Sequence, residues 1–187
     1  MKVTLPESIE EITLETFQRY QQLKDRKDLD TFEFNKRKIE IFTNLNRKQI
    51  KNVNQSDYKW MLDQIDTALN QDAEFKKTFE IGAVKFGFIP NLNKCTTGEY
   101  IDLRKYQEGG IETMHNLMAV LFRPIIKTDK FKNYEIISYS GTEQFAGTMK
   151  KMPLSIVNGA LVFFLNLAKE LSSYTQKYTL EEPMKGK

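Results

Sequence analysis

Few residues in this chain combine the type and spacing that chemistry needs. His115 is the single histidine and Cys95 the single cysteine among 187 residues. One cysteine forms neither an intramolecular disulfide nor a multi-cysteine zinc site. Cys95 sits beside Lys94 in a polar stretch with no catalytic partner in view, and it fits a reducing cytoplasm. His115 precedes Asn116 in a Met-rich apolar segment. It reads as a hydrogen-bonded structural histidine, because a catalytic one needs a partner and a pocket. Asp63 and Asp66 lie three apart, as do Glu99 and Asp102. That spacing puts two carboxylates on one helix face, where they could hold a hard cation, but a solvated face is the simpler reading of both pairs. Gly82 and Gly87 lack the Lys-Ser/Thr that ends a phosphate loop, and Gly109-Gly110 reads only as a turn. Serine-hydrolase, zinc-protease and calcium-loop signatures are missing from the sequence. These residues lead us to expect no catalytic residue, no metal, no cofactor and no enzyme.

The elements that would position these groups follow from periodicity. A first helix is expected from Ser8 to about Asp25, since Ser8 and Glu11 have capping-box spacing. Thr13 is an alternative cap for a shorter helix beginning at Leu14. A second helix covers Asp30 to Leu45, Gln49 to Val53 reads as a short helical turn, and a third helix runs from Ser56 to Asp72. The third has an amphipathic face of Tyr58, Met61, Leu62, Ile65 and Leu69. Trp60 lies off the centre of that face; core burial is the favoured reading for so large an aromatic, and a contact role the alternative.

The pattern then switches to alternation. Phe79 to Gly82 and Val84 to Pro90 predict a β-hairpin across a glycine break. Thr96 and Glu99 form a second capping box, which predicts a short helix, with a strand as the alternative. A helix from Ile111 to Phe122 ends at Arg123-Pro124. A linker or short strand covers Ile125 to Ser138, with a turn at Lys127 to Lys130. A brief helix spans Glu143 to Met149, and the longest runs from Leu154 to about Tyr174 before a fraying tail. The expected fold is therefore α+β and predominantly α-helical: an N-terminal helical segment, then a β-hairpin and C-terminal helices. The expected division is residues 1–75, helical, and 76–187, α+β, with a single continuous domain as the alternative.

Composition narrows the partners. Hydrophobic residues are 40% of the chain, enough for a core, and the formal net charge is only +3. That charge is far from the dense basic footprint of a dedicated nucleic-acid binder. Lys36, Arg37 and Lys38 cluster on the second helix, where a solvated face flanked by Glu33 and Glu40 is the simpler reading. Lys127, Lys130, Phe131, Lys132 and Tyr134 interleave cations and aromatics, the pattern of a single-strand binder, and equally that of a turn into a strand. The N-terminus lacks the charged-then-apolar pattern of a secretory signal. The most apolar stretch, Ile156 to Ala168, is shorter than the about 20 residues a spanning helix needs, so no membrane partner is expected.

A family resemblance lies in the second half. The order is the hairpin Phe79 to Pro90, then Thr96 to Leu103, then His115 to Pro124, then Tyr134 to Ile136, then Met152-Pro153-Leu154-Ser155 running into Gly159 to Phe164. This order resembles small proteins encoded in the structural and tail modules of tailed bacteriophages, especially those of Bacteroidota hosts. The resemblance covers about Phe79 to Leu171; the N-terminal segment matches only in being helical. It implies a tail-assembly chaperone-like factor that binds tape-measure, tail or connector proteins in the host cytoplasm. A virion-resident ring, connector or cargo protein is the alternative, and a small nucleic-acid-binding protein a further one. Homo-oligomerisation is compatible with each. The residues expected to contact a partner are Trp60, Phe163 and Phe164. Seven Met and 13 Phe residues suit adaptable apolar contacts, although most such residues face a core.

Overall fold

The computed structural model describes residues 3–91 and 94–163. Four helices come first: α1 (Leu14–Lys24), α2 (Thr31–Phe42), the single turn α3 (Arg47–Ile50) and α4 (Gln55–Leu69). Each starts where a short polar side chain satisfies a free backbone amide. Thr13 Oγ1 accepts from Thr16 N–H at 3.2 Å, Asp30 from Glu33 N–H at 2.7 Å, and Asn54 from Asp57 N–H at 2.8 Å. Asn46 and Gln49 form a full capping box on α3.

The hairpin follows as β1 (Thr78–Ile81) and β2 (Val84–Phe88). Ile81 pairs with Val84 across the two-residue Gly82-Ala83 turn, and Gly82 takes a φ of +60° that such a tight turn requires. Next come α5 (Thr97–Glu108), a 3₁₀ turn (Gly110–Thr113) and α6 (Met114–Leu121). The chain then runs directly into β3 (Phe122–Thr128), turns, and returns as β4 (Tyr134–Ile136). After α7 (Glu143–Met149), residues 154–163 are helical and are labelled α8. The strands form one antiparallel sheet in the order β1-β2-β3-β4. The molecule is thus α+β and mostly helical, with N-terminal helices, a central hairpin and C-terminal helices.

The alternative cap at Thr13 is the one used. Thr13 is extended and forms an isolated antiparallel bridge with Pro153, which interrupts any helix running on from Ser8. Leu14 N–H donates to the Met152 carbonyl at 2.9 Å, and Leu154 N–H to the Ile12 carbonyl at 2.8 Å. Ile12, Leu14, Met152 and Leu154 are all fully buried at this bridge. A second difference lies at Phe122, expected to close a helix. It starts β3 instead, paired with Phe88, and Pro124 favours extended backbone at Arg123, the next residue of the strand. The expected continuation of the last helix to Tyr174, the fraying tail and Phe164 lie outside the described residues.

The inner face of the sheet is aromatic. Phe79 stacks on Phe86 at 5.4 Å between ring centroids, and Phe122 meets Phe79 and Phe88 edge-on at 5.1 and 5.2 Å. Such offset and edge-on geometry matches the ring quadrupoles. A contiguous buried cluster joins these rings to Ile39, Met61 and Ile65 of the N-terminal helices and to Met118, Val157 and Ala160. The two segments on either side of residue 75 thus contribute to the same cluster. On the outer face, Gly87 lies beneath the Tyr134 ring, and Tyr134 Oη donates to the Phe88 carbonyl at 2.9 Å.

At Gly159, α8 packs directly against the backbone of Glu74 and Phe75. A Cβ there would fall 2.7 Å from the carbonyl carbon of Glu74 and 3.0 Å from Phe75 Cα. We predict that Gly159→Ala destabilises the fold by about 1–3 kcal/mol, as overpacking against backbone does. Urea denaturation would show it as a lower midpoint with an unchanged slope. An unchanged midpoint would mean that the 73–75 backbone yields freely.

Candidate functional site

Trp60 is the single tryptophan and sits on α4 one residue before the buried Met61. One residue turns a helix by about 100°, so Trp60 leaves the inward stripe of Met61, Ile65 and Ala68. It is 54% exposed. The favoured expectation of core burial is therefore corrected: the stripe is filled by smaller side chains, and the indole is left at its edge. Phe32, on α2, is also exposed and stacks on Tyr58 of α4 at 6.0 Å, with Lys36 Nζ 5.8 Å from its ring centroid.

Phe163 has a different environment. Its ring stacks on Phe75 at 4.4 Å and meets Phe88 edge-on at 5.6 Å. It is half-buried, as one wall of a surface groove of about 560 Å³ that also involves Ile89, Pro90 and Tyr134. Lys77 and Lys132 stand among the residues lining it. Trp60 does not line this groove, so the structure does not gather the expected contact residues at one place.

The carboxylates expected on solvated faces behave differently. Glu99 is buried, not solvated. Its N–H donates to Thr96 Oγ1 at 3.2 Å, while its carboxylate accepts from Thr96 N–H and from Arg123 Nη2, the latter at 2.5 Å. The Arg123 guanidinium is equally buried and lies 5.5 Å from the Tyr139 ring centroid. Tyr139 Oη in turn donates to Asp102. Burial and the neighbouring Asp102 carboxylate push the Tyr139 hydroxyl well above its usual pKa. Asp63 and Asp66 are both exposed as expected, and Asp66 also pairs with the buried Lys38 of α2. Among the described residues, no group of three or more His, Cys, Asp or Glu could hold a metal ion.

The basic cluster on α2 is likewise not a solvated face. Lys36 and Lys38 are buried, and they pair with Glu33 and Asp66. A lysine with its stem against the α2–α4 contact must bring a carboxylate with it. The segment from Lys127 to Tyr134 comprises the end of β3, the turn and the first residue of β4. Asp129 Oδ1 accepts from the Phe131 and Asn133 amides at 2.8 Å each, and Lys132 adopts a φ of +64°. Phe131 projects from this turn, largely exposed.

Cys95 is half-buried, and burial together with the Glu99 carboxylate pushes its thiol pKa up, which disfavours the thiolate. His115 is held as expected for a structural residue. Its Nδ1 lies 3.2 Å from Gln18 Nε2 of α1, and its Nε2 3.3 Å from Asn116 Nδ2. Gln18, itself buried, also donates to the Ile111 carbonyl at 2.6 Å. Burial, and next the Lys150 charge, push the His115 pKa below its ordinary value, outweighing the opposite pull of Glu112. Sequence reasoning missed Gln18 and Arg123. Gln18 sits in a generic polar position of α1, and Arg123 was legible only as the residue before a proline.

A histidine whose folded pKa is depressed binds its proton more readily when the chain is unfolded. Its contribution is therefore complete above the unfolded value of about 6.5 and is lost as pH falls below it. We predict that part of the stability loss between about pH 6.5 and 5 disappears in His115→Asn, read by thermal denaturation at a series of pH values. An identical pH profile for the variant would remove His115 as the cause. Glu99→Ala should destabilise by about 3–5 kcal/mol, because it strands the Arg123 guanidinium in the interior. Equilibrium denaturation measures this, and a loss below about 1 kcal/mol, the level of a surface pair, would show that Arg123 reaches water.

No helix among the described residues is long and apolar enough to cross a membrane. Comparison of the chain with protein-family models, with curated proteins and with solved structures yields no match.

Proposed function

We propose that the chain is a non-enzymatic bacteriophage assembly protein, tail-assembly chaperone-like, that acts by binding other structural proteins in the host cytoplasm. The observation that carries this reading is the exposure of Trp60. A large aromatic surface left in water on a rigid helix is costly unless something covers it, and tryptophan is enriched among the residues that dominate protein interfaces. The ordered pattern from Phe79 to Leu171, with its likeness to tail-module proteins, supplies the class of partner: tape-measure, tail or connector proteins. Phe163 contributes by shaping the groove beside the sheet, as a packed wall.

Two measurements test the proposal. In purified, DNA-filled virions, proteomics should find the chain absent, while infected-cell lysate should yield it bound to an unassembled tail protein. Many copies per particle would instead make it a virion-resident ring, connector or cargo component. We further predict that Trp60→Ala weakens capture of a co-expressed tail protein by roughly 30-fold, the effect of an interface hot spot of about 2 kcal/mol. Stability should change by no more than about 0.5 kcal/mol, as for an exposed site. Unchanged capture by a folded variant would remove Trp60 from the interface.

A further inference from the structure

A second surface lies on the opposite kind of chemistry. Arg19 of α1, Arg26 just beyond it, Arg37 of α2 and Arg47 of α3 converge on one groove of about 340 Å³. Leu23 and Ile41 line it as well, buried and half-buried. The guanidinium groups arrive from separate elements, so tertiary packing and not a run of basic sequence assembles them. Of the four, only Arg37 belongs to a basic cluster visible in the linear sequence.

The carboxylates nearby engage only part of this set. Asp28 takes Arg26 through both oxygens at 2.6 Å, which holds its pKa down at about 2. Glu40 takes Nε of Arg47 at 2.8 Å. Glu33 reaches Nε of Arg37 only at 3.4 Å, and it also holds Lys36. Arg19 pairs with no carboxylate among the described residues, and it is exposed. Asp28, Glu33 and Glu40 each engage one of the lining arginines and Glu112 is held at the edge by Gln22, so Arg19 is the one lining arginine without an ion pair among the described residues. Each guanidinium carries five N–H donors in a planar fork that matches a carboxylate. Arg19 and the terminal nitrogens of Arg37 and Arg47 have no hydrogen-bond acceptor among the described residues.

We infer that this groove binds an acidic segment of a partner protein, with Arg19 and Arg37 as the gripping residues. Two features favour a peptide over a nucleic-acid strand. The lining pairs its arginines with the aliphatic Leu23 and Ile41 and offers no aromatic platform for a base. Asp28, Glu33 and Glu40 around it would repel a continuous run of phosphates, yet leave room for a single acidic side chain beside an apolar one. The inference is independent of Trp60, which does not line this groove.

The test is fluorescence anisotropy on the full chain with a short labelled peptide of Glu-Leu pairs spaced by Gly-Ser. The same peptide with Gln for Glu and a labelled oligothymidylate serve as comparisons. The expected result is binding that weakens with salt, drops about tenfold or more in Arg19→Glu/Arg37→Glu, and is absent for the Gln peptide. Circular dichroism verifies that the double variant is folded. If it is not, Arg19→Gln alone, which removes no existing ion pair, should still weaken binding. Failure of the Glu peptide to bind the native chain overturns the inference, as do equal binding of the Gln peptide and full binding by the folded variants. Tighter binding of the oligothymidylate, lost in the same variants, would reassign the groove to nucleic-acid phosphates. Trp60→Ala should leave all of these readings unchanged, so failure here is distinguishable from failure of the Trp60 interface.

Discussion

The structure depends on the short antiparallel bridge between residues 12–14 and 152–154. Two backbone hydrogen bonds, Leu14 N–H to the Met152 carbonyl and Leu154 N–H to the Ile12 carbonyl, fix the starting points of α1 and α8 against each other. In water such bonds are worth about 1 kcal/mol each. Here they are sealed by Ile12, Leu14, Met152 and Leu154, all buried. The bridge anchors the start of α8, which one turn further on lies so close to the 74–75 backbone that position 159 is a glycine. It also explains why Ser8 and Glu11, despite their capping-box spacing, do not open the helix.

Charges inside the molecule follow one logic. Wherever a long cationic side chain lies in the interior, a carboxylate from a neighbouring turn or element meets it: Glu33 for Lys36, Asp66 for Lys38, Glu99 for Arg123. Glu99 is the most economical of these, since one carboxylate both closes the capping box of α5 and neutralises β3's arginine. Such pairs add little net stability relative to apolar replacements, but each becomes severe when broken. They make the relative placement of α2 and α4, and of α5 and the sheet, sensitive to single substitutions.

Much of the fold was legible because its signals are local. Alternation around Gly82 marked the hairpin, and Thr96 with Glu99 marked the start of α5. Glu143 to Met149 formed the expected short helix. What was not legible arises from contacts distant in sequence. The start of α1 was decided by residues 138 positions away, through Leu14 and Met152. Lys36 and Lys38 read as solvated because a charge run shows its own helix and not the helix packed over it. Trp60 illustrates the reverse: its offset from the inward stripe was visible in the spacing, and the general preference of aromatics for cores outweighed that geometric fact. Of the contact residues picked from sequence, Trp60 is exposed, Phe163 is packed between Phe75 and Phe88, and Phe164 lies outside the described residues.

The bridge has a consequence for the order in which the molecule is made. A chain growing from the ribosome presents residues 12–14 early, but their partners at 152–154 emerge only after about 140 more residues, at synthesis rates of about 5–20 residues per second. For that interval the backbone around Ile12 and Leu14 lacks its partner at 152–154, while α1, α2 and α4 already have one another to pack against. Closing so long a loop carries an entropic penalty that grows only slowly with length, so the closure is favoured once both ends exist. The bridge therefore cannot close until most of the chain has been made.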